Sequence, residues 1–206
     1  MRFADVKSIT IPEGDVVSIT AGGVKIWDKP NAEQYTFPEY IQLNSDLAFN
    51  TGAICNQDTT IEMTFTREDS SARYLFGVAS SGNTASLTGY QSGVNSGSWR
   101  FGAKYGRPSV ATNTKLTFTM DKTGIVMNGT KSSYSGVSAF ETPHPLAVGG
   151  CMSASGSIGA TRHIGKIYGF RLWQGDVLTI DWIPCVKSDG EQGLWDNISQ
   201  KFISSV

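Results

Sequence analysis

The stretch KLTFTMDKTGIVMNG, residues 115–129, decides the fold class. Leu116, Phe118 and Met120 alternate with Lys115, Thr117 and Thr119, the period-two pattern of a strand with one buried face. Asp121-Lys122-Thr123-Gly124 breaks the pattern with turn residues, Ile125-Val126-Met127 returns, and Asn128-Gly129 adds a tight turn whose residues tolerate positive φ. The same grammar recurs on both sides. In residues 60–66, Ile61, Met63 and Phe65 oppose Glu62 and Thr64, and further strands are expected over 74–79, 98–104, 146–149, 165–173, 177–186, 194–195 and 201–203. No stretch of about twelve residues keeps a 3.6-residue period, so no long helix is expected. The sum is an all-β chain of about a dozen strands, which fits a jelly-roll sandwich.

Composition narrows the function. Of the 206 residues only 17% are charged and the formal net charge is -1, so no basic field exists to hold nucleic acid or an anionic membrane. The 23 glycines suit short strands joined by many turns. Three cysteines, Cys55, Cys151 and Cys185, lack the even count and close spacing of a disulfide framework or a zinc ribbon. They read as small core residues, with a Cys55–Cys185 bridge joining the first and last strands of the sandwich as the sharper alternative. His144 and His163 are the two histidines and stand well apart, which excludes a multi-His metal site. Met1-Arg2-Phe3-Ala4-Asp5 has no apolar signal-peptide core, so export by a classical signal is not expected.

Residues 1–29 stand apart from the rest. Alternation over 6–11 and 16–21, a turn at Pro12-Glu13-Gly14, and Gly22-Gly23 leading into 24–27 describe a small three-stranded meander. Such a meander cannot bury enough surface alone, so it reads as an attachment or oligomerisation element. Residues 30–206 form the sandwich.

Catalysis has no evident home. Retaining glycoside hydrolysis needs two carboxyls about 5 Å apart across the bond, and the Glu-x-Asp-x-x-Glu strand motif that supplies them is absent. Glu62, Glu68 and Asp69 come nearest and fit a solvated strand end better. No Gly-x-Ser-x-Gly elbow is present, and the Gly-rich 150–159 stretch precedes no helix. No cofactor is expected. Calcium is the one metal worth weighing: Asp46, Asp58 and Asp189 with Asn44, Asn50 and Asn56 either gather at one rim or simply cap turns. For binding, the long loop expected over 80–98 (SSGNTASLTGYQSGVNSGS) and its neighbour 100–107 are the strongest candidate. Tyr90, Trp99 and Tyr105 offer flat faces for stacking, and Gln91 and Arg107 offer donors for hydroxyls. Trp99 also alternates with Arg100, so it reads equally as core. Thr161-Arg162-His163 with Trp173-Gln174-Gly175-Asp176 is a weaker second candidate.

Several segments together carry a family resemblance: Phe37-Pro38-Glu39-Tyr40-Ile41-Gln42, residues 48–52 and 59–65, the hairpin 116–131, HIGKIYGFRLW (163–173), Ile183-Pro184-Cys185-Val186-Lys187-Ser188-Asp189-Gly190, Gly193-Leu194-Trp195-Asp196 and Lys201-Phe202. They resemble the concanavalin A-like, LamG-type jelly rolls of phage and prophage structural proteins from gut bacteria. Val6-Lys7-Ser8-Ile9-Thr10-Ile11-Pro12-Glu13-Gly14 with Lys25-Ile26-Trp27 is similar to the leader segments of such proteins. The sequence departs from the pattern at Asn44-Ser45-Asp46, where relatives often carry a Gly-containing turn. The resemblance implies a non-catalytic virion or tail-associated module presenting loops to a cell-surface glycan or protein. It implies synthesis in the bacterial cytoplasm, other virion proteins as partners and a homotrimer as the assembly. Two alternatives stay open: a purely structural decoration subunit, and a polysaccharide-degrading enzyme with an atypical site.

Overall fold

The computed structural model describes residues 18–21, 24–28, 34–93 and 96–206. Strands β1 (Ser18–Ala21) and β2 (Val24–Asp28) pair antiparallel, and the strand expected over 6–11 lies outside the described residues. Then come β3 (Tyr35–Thr36), β4 (Ile41–Asn44), β5 (Phe49–Asn50), β6 (Thr59–Arg67), β7 (Arg73–Val78), β8 (Ser86–Gly93), β9 (Ser96–Gly102) and β10 (Lys104–Gly106). The second half holds β11 (Lys115–Asp121), β12 (Gly124–Met127), β13 (Thr130–Ser133), β14 (Ala147–Val148), β15 (Ile164–Gln174), β16 (Val177–Lys187), β17 (Gln192–Asp196) and β18 (Lys201–Ile203).

From β3 onward the strands form two antiparallel sheets. One is six-stranded, in the order β10-β9-β8-β7-β14-β5; the other is ten-stranded, running β13-β12-β11-β6-β15-β16-β17-β18, with β4 on β15 and β3 on β16. The chain changes sheet after β4, β5, β6, β10, β13 and β14. Each change carries it across the core, so the result is an all-β jelly-roll sandwich of two antiparallel sheets.

The opening hairpin folds as its residues dictate. Asp121 Oδ1 accepts from the Thr123 and Gly124 amides (2.7 and 3.2 Å), which fixes the first turn. Asn128 and Gly129 both take positive φ (47° and 82°), and Met127 pairs with Thr130 across them. Phe118 ends up at the centre of the core: Trp99 meets it edge-on at 4.5 Å, Phe76 stacks at 5.3 Å and Phe65 lies at 6.1 Å.

Two expectations need correcting. The loop expected over 80–98 is a single 3-10 turn at Ser81–Asn83 followed by β8 and the start of β9, paired to each other from Ser86↔Gly102 to Gly93↔Ser96. The Cys55–Cys185 bridge does not form; all three cysteines are free thiols in the interior. Cys55 sits beside the Gln174 end of β15, where Gln174 Nε2 donates to Ile54 O (2.9 Å). Val177 pairs with Gln174, and Cys185 lies further along β16, about 26 Å away at 3.3 Å per residue, far beyond disulfide reach. The same geometry separates the calcium candidates. Asn44 pairs with Ile164 at one end of β15, whereas Asp58 O accepts from Gly175 N at the other, about 33 Å apart. Asn56 Oδ1 binds the Asp58 amide, Asn50 Oδ1 the Gly52 amide and Asp189 Oδ1 the Glu191 amide, the turn-capping role.

Candidate functional site: the outer face of the six-stranded sheet

Alternation along β8, β9 and β10 sorts the expected binding residues between two faces. Leu87, Gly89 and Gln91 point inward against Phe101, Trp99 and Gly97 respectively; Thr88 and Tyr90 point outward beside Arg100 and Ser98. Trp99 and Gln91 are therefore fully buried: Trp99 takes the core alternative, and Gln91 belongs to the interior and not to the surface expected for it. Tyr90, Tyr105 and Arg107 stay on the outside, and the structure brings them together.

Two neighbours that the sequence reading left out join them. Tyr74 pairs with Tyr90, their rings 4.6 Å apart, and Arg100 pairs with Tyr105. Arg107 follows the Gly106↔Trp99 pair and lies over the Tyr105 ring at 5.8 Å, within cation–π range. Tyr105 is 57% exposed. Tyr74, Tyr90, Ser98 and Arg107 thus form a row across the strands, about 14 Å long at 4.8 Å per strand. Burial, with the Cys151 and Tyr90 side chains alongside, pushes the Tyr74 phenol up, and Arg100 partly offsets this. Two phenol rings in tilted contact and two guanidiniums on a sheet face supply what a polyhydroxylated or peptide ligand needs: apolar ring area flanked by donors.

The row ends at a cleft of about 270 Å³. Arg107, Pro108, Ser109 and Ala111 form one wall, Asn128, Thr130 and Ser132 the other, and Leu116 and Met127 the floor. Asn128 is held rigidly there, since its Oδ1 accepts from Thr117 N (2.8 Å).

The second candidate divides differently. His163 is buried, Arg162 donates to Asp46 O and Val206 O, and Trp173 and Asp176 lie at the opposite end of β15 beside Thr60, Glu62 and Thr119. The acidic residues weighed for catalysis are all engaged. Glu62 and Asp181 share Arg171 (3.3 and 2.9 Å), Glu68 accepts from Gln42 Nε2 (2.7 Å), and Asp69 pairs with Arg73 (3.1 Å). Among the described residues no three His, Cys, Asp or Glu side chains gather as metal ligands.

No family model matches the chain, and no curated protein does. Among solved structures, the native heptameric SAP-like pentraxin from Limulus polyphemus is similar at 12% identity and TM-score 0.44, covering 70% of this chain and 76% of its own. Mouse laminin alpha1 chain domains LG4-5 are similar at 10% identity and TM-score 0.43, covering 87% of this chain and 51% of theirs. Likenesses this distant carry no argument about ligand or partner.

Proposed function

We propose that the chain is a non-catalytic binding module of a phage or prophage virion or tail, whose six-stranded sheet presents its outer face to a cell-surface glycan or protein. One observation carries this reading: Tyr105 and Arg107, exposed, and Tyr74, Tyr90 and Arg100, half-buried, converge on one outer face that ends in an open, mixed polar and apolar cleft. The carboxylates that a glycosidase would need are tied into ion pairs or hydrogen bonds instead. The virion setting, the homotrimer and the role of residues 1–29 in attachment rest on the sequence resemblance. With a formal net charge of -1, affinity comes from stacking and hydrogen bonding, weak per site and raised by repetition on a particle.

The test is a glycan-array and whole-cell binding screen of the purified chain, with Tyr105→Ala/Arg107→Ala as control. Binding that disappears in the double variant supports an adhesive face. Binding that survives it refutes this face, and no binding to any glycan or cell transfers the chain to the structural-subunit reading.

A further inference from the structure

Arg67 and Gln91 continue the inward stripes of the two sheets. On β6 the stripe is Ile61, Met63, Phe65, Arg67; on β8 it is Leu87, Gly89, Gln91. Both polar residues are fully buried at the same end of the sandwich, where Arg67 donates to Gly93 O and to Ser71 O (3.0 Å). On these two residues and their neighbours, six buried polar atoms make no hydrogen bond among the described residues. Arg67 Nε, both ends of the Gln91 amide, Trp99 Nε1 and His163 Nδ1 have no hydrogen-bond partner, nor does Asp69 Oδ1. Native domains contain few such atoms, and a cluster of them at one place asks for an occupant.

The chemistry of the cluster identifies the occupant. Arg67 Nε–H, the Gln91 amide N–H and the Trp99 indole N–H are donors awaiting an acceptor. Among the described residues Arg67 itself bonds only neutral carbonyls, and with Arg73 it outweighs Asp69 by one positive charge. A buried guanidinium that Asp69 offsets only in part, with amide and indole donors beside it, suits a planar anion that accepts several hydrogen bonds at once. The cluster also borders the cleft. A Cβ on Gly97 would lie 2.5 Å from Trp99 Nε1 and 3.4 Å from Pro108 O, so a residue without a side chain stands between the cleft wall and the indole N–H.

We propose that this end of the sandwich is a subsite for a carboxylate, entered from the cleft past Pro108 and Gly97 and read by Arg67, Gln91 and Trp99. Resting on the adhesive reading above, it makes the preferred ligand an acidic sugar: the ring lies on the outer aromatic face and its carboxylate passes beneath the rim.

Thermal unfolding of the full chain tests this with sodium glucuronate, sodium acetate, and glucose in sodium chloride, all at equal ionic strength. Glucuronate is expected to raise the melting temperature, acetate to raise it less, and glucose in sodium chloride not at all. Gln91→Leu keeps the volume and removes the orphaned amide. It is expected to raise the melting temperature of the unliganded chain while weakening the glucuronate response at least about tenfold. A lowered melting temperature in Gln91→Leu, or an unchanged glucuronate response, overturns the subsite and leaves these groups as holders of structural water. No stabilisation of the wild type by glucuronate overturns it equally. Glycan and cell binding is a separate readout: its presence without any glucuronate response removes the subsite alone, and a glucuronate response without it removes the adhesive reading alone.

Discussion

Acid should unfold this protein through His163 before it reaches the carboxylates. The ring lies fully inside, edge-on to Phe65 at 6.0 Å, with a nitrogen 3.1 Å from Thr66 O. Only a protonated nitrogen can face a carbonyl, so Nε2 carries the hydrogen and Nδ1 is bare. A second proton would place a charge in the core with no acceptor for the new N–H and with Arg67 and Arg73 nearby, Asp69 offsetting them only in part. Burial accordingly lowers the His163 pKa from 6.5 to about 4. Because the folded form resists protonation that the unfolded chain accepts, the stabilisation is fully present above pH 6.5 and drains away as the pH falls to about 4. Two and a half units amount to about 3 kcal/mol, a large part of the stability of a single domain. The exposed carboxylates of Glu39, Asp58 and Glu191, each lowered chiefly by a hydrogen bond from Lys115, Lys122 and Lys187 respectively, lose their pairing only below their ordinary values of 4.5, 3.8 and 4.5. The two causes therefore occupy separable windows. Urea unfolding at about pH 7.5, 6, 5 and 4 should show the wild type weakening progressively, while His163→Gln, which still donates to Thr66 O, stays nearly level. Parallel decline of the two proteins across that range would refute the argument.

Three other outcomes follow from the packing. Phe118→Ala removes the ring on which Trp99, Phe76 and Phe65 converge and should cost about 3–5 kcal/mol in urea unfolding, whereas Tyr90→Ala on the outer face should stay within about 1 kcal/mol. Burial pushes the Cys55 and Cys151 thiols up to about 12 and Cys185 to about 11, so none should react with a disulfide reagent at about pH 8 until urea unfolds the chain. Fast labelling of the native protein would contradict this. Gly97→Ala puts a methyl group 2.5 Å from Trp99 Nε1, and Trp99 is wedged against Phe118 and Phe76, so a loss of about 1–3 kcal/mol is expected by the same measurement.

The fold was legible where hydrophobic contrast was high. β6, β11 and β15 read correctly because Ile61-Met63-Phe65, Leu116-Phe118-Met120 and the 165–173 run set large apolar residues against polar ones. The short strands β3, β4, β5 and β13 escaped because two to four residues give too little alternation to recognise. β8 escaped for a different reason. Its inward positions are Leu87, Gly89 and Gln91, so the buried stripe carries one large apolar residue and looks like a turn-rich loop. The missing bulk at Gly89 is supplied from the neighbouring strand: a Cβ there would lie 2.4 Å from the Phe76 ring, which fills the space.

That substitution of one strand's side chain for another's is also why the candidate site was half visible. Tyr90, Tyr105 and Arg107 are recognisable by residue type alone, but assigning faces requires the register, and with 80–98 read as a loop no register existed. Once β8 and β9 pair, Gln91 and Trp99 turn inward and Tyr74 and Arg100 turn outward as a necessary consequence of the period. The same step exposes the anomaly at the rim. A stripe running Ile61, Met63, Phe65 should end on an apolar residue or leave the core, yet Arg67 stays inside and meets Gln91 from the opposite sheet. Two polar residues on facing inward stripes, with their donors unspent, are a local conflict that a chain selected only for stability would remove with leucine and methionine. Gln91→Leu measures whether that conflict is retained for a ligand.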